Sequence, residues 1–125
     1  MMCKTDVAWL AGVIDGEGTI GSYESNNSVR REVKITNTSK PLLRKAEQVM
    51  RDLGVVSNTY LENHFNSTMQ AYRLTIHRKK DVALLLETVL PYLTAKSQKA
   101  EQMLDEIYSS IVIREYLSCG GTLTE

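Results

Sequence analysis

The chain has 125 residues, 42% of them hydrophobic and 24% charged, with 15 basic side chains against 15 acidic ones. That is enough for one hydrophobic core and too short for two, so a single domain over residues 1–117 with a flexible tail from 118 to 125 is expected. No uncharged apolar run approaches the ~18 residues of a spanning helix, and the start lacks the basic patch, apolar stretch and cleavage site of a secretory leader; both features predict an intracellular protein without membrane contact. Cys3 and Cys119 lie near opposite ends without metal-ligand spacing and read as free thiols.

A zero net charge by itself disfavours a nucleic-acid partner. The charge is segregated, however. Residues 28–52 hold seven basic side chains against three acidic ones, and residues 73–80 add Arg73, Arg78, Lys79 and Lys80 with no acid. Beyond Lys99 the balance is acidic, with Arg114 against Glu101, Asp105, Glu106, Glu115 and Glu125.

In chain order, Thr5 or Asp6 is expected to cap a first helix whose apolar residues Val7, Trp9, Leu10, Val13 and Ile14 run almost all round it, as in a buried helix. Ala8, Gly12 and Gly16 recur every four residues, so they share one stripe on which another backbone can approach closely. Gly12 inside a helix costs roughly 1 kcal/mol relative to Ala, a cost that a close helix crossing would explain. Thr19–Ser25 and Val29–Thr36 flank the turn-forming Asn26-Asn27-Ser28 and read as a hairpin. Its second run places Val29, Arg31, Val33 and Ile35 on one face and Arg30, Glu32, Lys34 and Thr36 on the other.

Ser39 then caps a helix with Pro41 in its first turn, Leu42, Leu43, Ala46, Val49, Met50 and Leu53 at helical spacing, and Gly54 as its stop. Extended runs at 55–62 and 70–77, joined by His64-Phe65-Asn66-Ser67, suggest a second hairpin. A helix over 80–90 ends near Pro91, and a last helix aligns Ala100, Met103, Leu104, Ile107 and Ile111. The repeated helix-strand-strand order predicts an α+β fold: a four-stranded antiparallel sheet with helices on one face and a polar face left open.

The first helix ends in Leu10-Ala11-Gly12-Val13-Ile14-Asp15-Gly16-Glu17-Gly18, two acids separated by one glycine where a charged sheet begins. This segment, LAGVIDGEG, resembles the LAGLIDADG motif of homing endonucleases, and the element order resembles that family's fold over nearly the whole chain. The resemblance implies that the sheet is curved and that the chain is a single-motif, homodimeric, site-specific endonuclease that cuts both strands of double-stranded DNA at a long pseudo-palindromic site. The cuts are implied to lie across the minor groove and to leave short 3′ overhangs.

Residue by residue, the resemblance gives Asp15 a structural role and makes Glu17 the acid that binds a divalent cation, assisted by the Gly16 carbonyl. Mg²⁺ is the implied ion, with Mn²⁺ as a substitute and Ca²⁺ supporting binding only; Mg²⁺ is commonly held by one or two carboxylates plus substrate phosphate. Glu replaces the motif's second Asp, which keeps the carboxylate and lengthens its reach. Ala8, Gly12 and Gly16 are the implied dimer contact, and pairing would bring two Glu17 side chains over adjacent scissile phosphates. Lys96 matches the family's basic residue at the active-site edge, and Asn37 a position that holds an amide to place water.

The expected DNA-reading positions are Thr19, Gly21, Tyr23 and Ser25 on the first strand, Ser28, Arg30, Glu32 and Lys34 across the hairpin, and Arg73 and Thr75 beyond it. An antiparallel ribbon fits the major groove, where Arg or Lys reads guanine and Glu accepts from cytosine. The phase of the strand around Thr59 and Leu61 is ambiguous. His64 and His77 have no partner at ligand spacing and read as surface residues. The alternatives are a DNA-binding regulator or intron RNA maturase that keeps the fold without cutting, and a protein-interaction module whose charged sheet is only solvated.

Overall fold

The computed structural model describes residues 3–26, 28–62 and 70–118. The expected loop at 64–67 and the tail from 119 onward, with Cys119, lie outside them. Helix α1 (Lys4–Glu17) starts earlier than expected: Cys3 is its N-cap and supplies no side-chain cap bond. Asp6 falls in the first turn instead, where the helix dipole favours an acid. The thiol of Cys3 lies 2.7 Å from Thr5 Oγ1, and this hydrogen bond, first among its causes, lowers the thiol's pKa.

The burial of α1 follows the two sets of residues that its sequence separates. Val7, Leu10, Ala11 and Ile14 are buried, Trp9 and Val13 are half-buried, and Ala8, Gly12 and Gly16 are exposed. One apolar strip of the helix is therefore uncovered in the single chain.

Strand β1 (Gly18–Ser25) follows without a loop. A Cβ at Gly18 would stand 2.7 Å from the Ile14 carbonyl oxygen and 2.9 Å from Ile14 Cα, so the abrupt change from helix to strand requires glycine. Gly18→Ala is expected to destabilise the fold by about 1–3 kcal/mol, the usual range for forced overpacking. Urea unfolding checks this, and an unchanged midpoint would contradict it.

β1 pairs antiparallel with β2 (Ser28–Asn37), and Asn26 takes the left-handed turn conformation at φ 49° that asparagine tolerates. Helix α2 (Lys40–Leu53) matches its expected signals. The Ser39 hydroxyl accepts the Leu42 N–H, proline lies in the first turn, and Gly54 closes the helix at φ 84°. Lys45 Nζ sits 4.5 Å above the Trp9 ring, joining α2 to α1.

Strand β3 (Asn58–Glu62) is shorter than the expected run because Val55 is drawn back to α2, donating its N–H to the Met50 carbonyl at 2.9 Å. β4 (Ala71–Ile76) pairs with both β3 and β2, giving the order β1-β2-β4-β3. Each helix-strand-strand unit thus places its second strand in the centre of the sheet and its first at an edge.

Helix α3 (Lys79–Val89), one 3₁₀ turn (Leu90–Tyr92) and helix α4 (Ser97–Ser118) complete the chain. Ala100, Met103, Leu104 and Ile107 of α4 are buried as expected, but Ile111 is exposed and lies beyond the core. The core gathers side chains from all four helices and from β1, β2 and β4, including Ile20, Val33, Ile35, Leu74 and Ile76 on the helix side of the sheet. No helix among the described residues is long and apolar enough to cross a membrane.

Candidate functional site

The end of α1 carries two acids and no base in its last turn, an arrangement that the helix dipole disfavours. The two carboxylates have different surroundings. Asp15 Oδ2 accepts the Thr94 N–H at 2.8 Å, and Oδ1 accepts the Lys96 N–H at 3.0 Å. In return Lys96 Nζ donates to the Asp15 backbone carbonyl at 2.6 Å, satisfying one of the carbonyls left over where a helix ends. The segment before α4 is therefore fastened to the end of α1 by three hydrogen bonds, and the Lys96 ammonium is placed at the negative end of that helix.

Asp15→Asn would turn one acceptor into a donor facing an N–H. Charge-assisted hydrogen bonds of this kind contribute roughly 1.5–3 kcal/mol each, so a loss of about 2 kcal/mol in thermal or urea unfolding is expected. Stability equal to the parent chain would contradict the fastening role.

Glu17, the last residue of α1, is exposed, and its carboxylate makes no hydrogen bond or ion pair among the described residues. Gly16 beside it is exposed, with a backbone carbonyl also in the terminal turn. No three His, Cys, Asp or Glu side chains converge among the described residues. A cation at this place would accordingly draw on one carboxylate and a backbone carbonyl of the chain, with other ligands from outside it. Such a set of hard oxygen donors, completed by phosphate, suits Mg²⁺.

The register settles which side chains share the open face of the sheet. Thr19 stands opposite Lys34, Gly21 opposite Glu32 and Tyr23 opposite Arg30, on the side away from the buried Ile20, Val33 and Ile35, and the pairing closes with Ser25 opposite Ser28. These positions share a face as expected; the side chain of Ser25 lies outside the described set. Arg30 Nε and Glu32 Oε2 are 3.7 Å apart. The face continues across β4 and β3, where Lys34 neighbours Thr75 and Thr75 neighbours Asn58, while Thr36, Arg73 and Tyr60 form the next row. Arg73 lies 5.4 Å from the Tyr60 ring centroid.

One expected site residue needs correction, and a second has one of its two groups engaged. Thr75 is on the open face but only 4% exposed, so direct contact with a partner is not available to it; its flanking neighbours Lys34 and Asn58 are more open. The Asn37 Oδ1 accepts the Ser39 N–H at 2.8 Å and shapes the turn into α2, which leaves its NH₂ group alone for any part in placing water. Asn58 and Tyr60 are face residues that the sequence did not reveal. The run Asn58-Thr59-Tyr60-Leu61 mixes polar and apolar groups on both faces, so only its pairing with β4 fixes the phase.

Along α1, Ala8, Gly12 and Gly16 form an exposed stripe, and a Cβ built on Gly12 or Gly16 meets nothing within 4 Å. The stripe leads directly to Glu17.

The model of the LAGLIDADG-like domain family matches residues 4–90. A search of curated proteins finds no match. Among solved structures, the homing endonuclease I-CvuI in complex with its DNA target and Ca superposes with a TM-score of 0.68 at 20% identity, covering 84% of this chain and 67% of that one. I-CvuI with the I-CreI target and Mg, its DNA not cleaved, gives 0.65 at 18% identity over the same shares. The LAGLIDADG meganuclease I-AabMI bound to uncleaved DNA gives 0.67 at 19% identity, covering 89% of this chain, which spans only 39% of that longer protein. At these identities the structures establish a common fold. The family match spans the motif helix, the whole sheet and α3, and on that ground the chain belongs to the LAGLIDADG family, with the motif present once, at the end of α1.

Proposed function

We propose that the chain is a site-specific, divalent-metal-dependent DNA endonuclease that acts as a homodimer and cuts both strands of a long pseudo-palindromic duplex site. The observation that carries this reading is Glu17: a carboxylate without a partner among the described residues, at a helix end that disfavours it and to which Lys96 is fastened through Asp15, at the margin of a polar sheet face. An acid kept where it costs stability calls for a functional reason.

Glu17, with the Gly16 carbonyl, would hold Mg²⁺ or Mn²⁺, and a bound ion of this kind polarises the phosphate and supplies a nucleophile at neutral pH. Lys96 has three donors and uses one on the Asp15 carbonyl, so two N–H groups remain to orient water or to neutralise charge developing on the phosphate. The Asn37 NH₂ group can assist in placing that water. Asp15 is a positioning residue, because it acts through Lys96 and the segment before α4.

One carboxylate serves one strand. A second copy, packed through the exposed Ala8, Gly12 and Gly16 stripe, supplies the other, and the crossing brings both Glu17 side chains to the axis. On the open face Arg30, Glu32 and Lys34 offer donors and an acceptor at the spacing of a ribbon in the major groove, with Thr19, Tyr23, Ser28, Arg73, Asn58 and Tyr60 around them. The zero net charge limits counterion release and predicts a shallow salt dependence of binding. Cuts placed across the minor groove leave short 3′ overhangs.

Selection of bound duplexes from a random library in Ca²⁺, followed by exchange into Mg²⁺, tests this reading. A pseudo-palindromic consensus cut in both strands is expected. A consensus bound and never cut would leave a DNA-binding regulator, and no enrichment by a folded chain would overturn DNA as the substrate.

A further inference from the structure

On the edge strand farthest from β1, α2 and β3 enclose a cleft of about 320 Å³ of which the nuclease reading uses Tyr60 alone. Leu43 is buried at its floor, and Leu61 and Tyr72, opposite each other on the helix side of the sheet, form an apolar wall. Tyr60 lies on the other face of the same strand, so the cleft wraps round an edge on which Tyr60 is 47% and Leu61 51% exposed. Two bases stand at the rim. Lys40 Nζ is 5.2 Å from the Tyr72 ring centroid, and Arg44 is exposed with no hydrogen bond or ion pair among the described residues. The acid of the cleft, Glu47, is already matched by Arg51 at 2.8 Å and by the Thr59 hydroxyl at 3.3 Å, which leaves the rim positive.

An apolar slot with an aromatic wall and a cationic rim recognises a flat ring that carries an anion. A base pair inside a duplex cannot enter such a slot, because its rings are already stacked; an unpaired base can, with its phosphate at the rim. We propose that the cleft binds an unpaired nucleotide of a single-stranded nucleic acid, with the base against Tyr72 and Leu61 and the phosphate on Lys40 and Arg44. The site shares Tyr60 with the open sheet face, but Lys40, Arg44, Leu61 and Tyr72, on which the proposal rests, have no part in the duplex reading, so it stands or falls independently of duplex cleavage.

The test is fluorescence anisotropy of the full chain with labelled oligothymidylate and oligouridylate of about 12 nucleotides, within the usual range of single-strand site sizes. Unlabelled duplex and polyglutamate serve as competitors. Saturable binding that duplex does not displace is expected, and Arg44→Gln, an exposed change that spares the fold, should weaken it about 10-fold, as should Tyr72→Leu. Duplex binding should be unaffected by Arg44→Gln, and Lys34→Gln on the opposite face should leave the oligonucleotide bound. A preference for the ribo- or deoxyribo-oligonucleotide would fix which single strand is taken and would support the proposal either way. It is overturned if the parent chain shows no saturable binding. It is equally overturned if polyglutamate displaces the oligonucleotide as well as unlabelled oligonucleotide does, or if Lys34→Gln abolishes binding while Arg44→Gln does not.

Discussion

Glu17→Gln is expected to abolish metal-dependent strand cleavage, by a factor on the order of 10³ or more, while the chain folds and binds its duplex as before. The size follows from removing the charged oxygen ligand that the chain would contribute to a cation under the proposed function, an effect of several kcal/mol on the transition state. The retention of fold follows from the surroundings of Glu17. The side chain is exposed and unpaired among the described residues, so its replacement should change stability by less than about 0.5 kcal/mol. The sign is also determined. A negative charge in the last turn opposes the helix dipole, and the neutral amide should raise the unfolding midpoint slightly. Cleavage assays beside thermal unfolding check both halves, and a Glu17→Gln chain that cuts at the parent rate would contradict the assignment. Asp15→Asn should behave in the opposite way, losing stability first because its carboxylate is fully engaged.

Gly12→Leu is expected to give a monomer where the parent chain is expected to be a dimer, and to remove cleavage with it. Within one chain the change is favourable. Gly12 sits mid-helix, a Cβ there meets nothing within 4 Å, and leucine is the better helix former by about 0.8 kcal/mol. Between two chains it is prohibitive, since a side chain on the stripe would hold the crossing helices apart. Sedimentation or light scattering should therefore report a monomer whose secondary structure is intact and whose unfolding midpoint is not lowered. A dimer that survived Gly12→Leu would place the contact elsewhere. A small-residue stripe that is merely tolerated would give higher stability with no change in assembly.

The sequence made some elements of this fold legible and left others hidden, for physical reasons. Helix α2 could be read to its caps, because Ser39, Pro41 and Gly54 each do a local job that depends on few distant contacts. The phase of β2 was equally plain, since Val33 and Ile35 alternate with Arg30, Glu32 and Lys34. The phase of β3 was not, because Thr59 and Leu61 lie at an edge where neither face is fully buried and pairing with β4 alone decides it. Thr75 illustrates a related limit. Its face follows from alternation, but its burial, at 4% exposure, is a property of packing that no spacing records. The motif singled out Glu17 and the family resemblance Lys96, yet the hydrogen bonds that join residues 15 and 96 span 81 positions and are a property of packing. The small-residue stripe of α1 was legible from its four-residue spacing, and Ala8, Gly12 and Gly16 are exposed in the chain.

The measurement that bears most directly on the central claim uses mixed dimers. Parent chains and Glu17→Gln chains, distinguishable by tags, are combined, the heterodimer is isolated, and its action on the selected duplex is followed in Mg²⁺ with each strand labelled separately. If each chain supplies one carboxylate to one strand, the heterodimer cuts a single strand and accumulates nicked duplex, while the parent dimer cuts both and the doubly substituted dimer neither. A heterodimer that cuts both strands as fast as the parent, or a single chain that does so alone, would contradict the account.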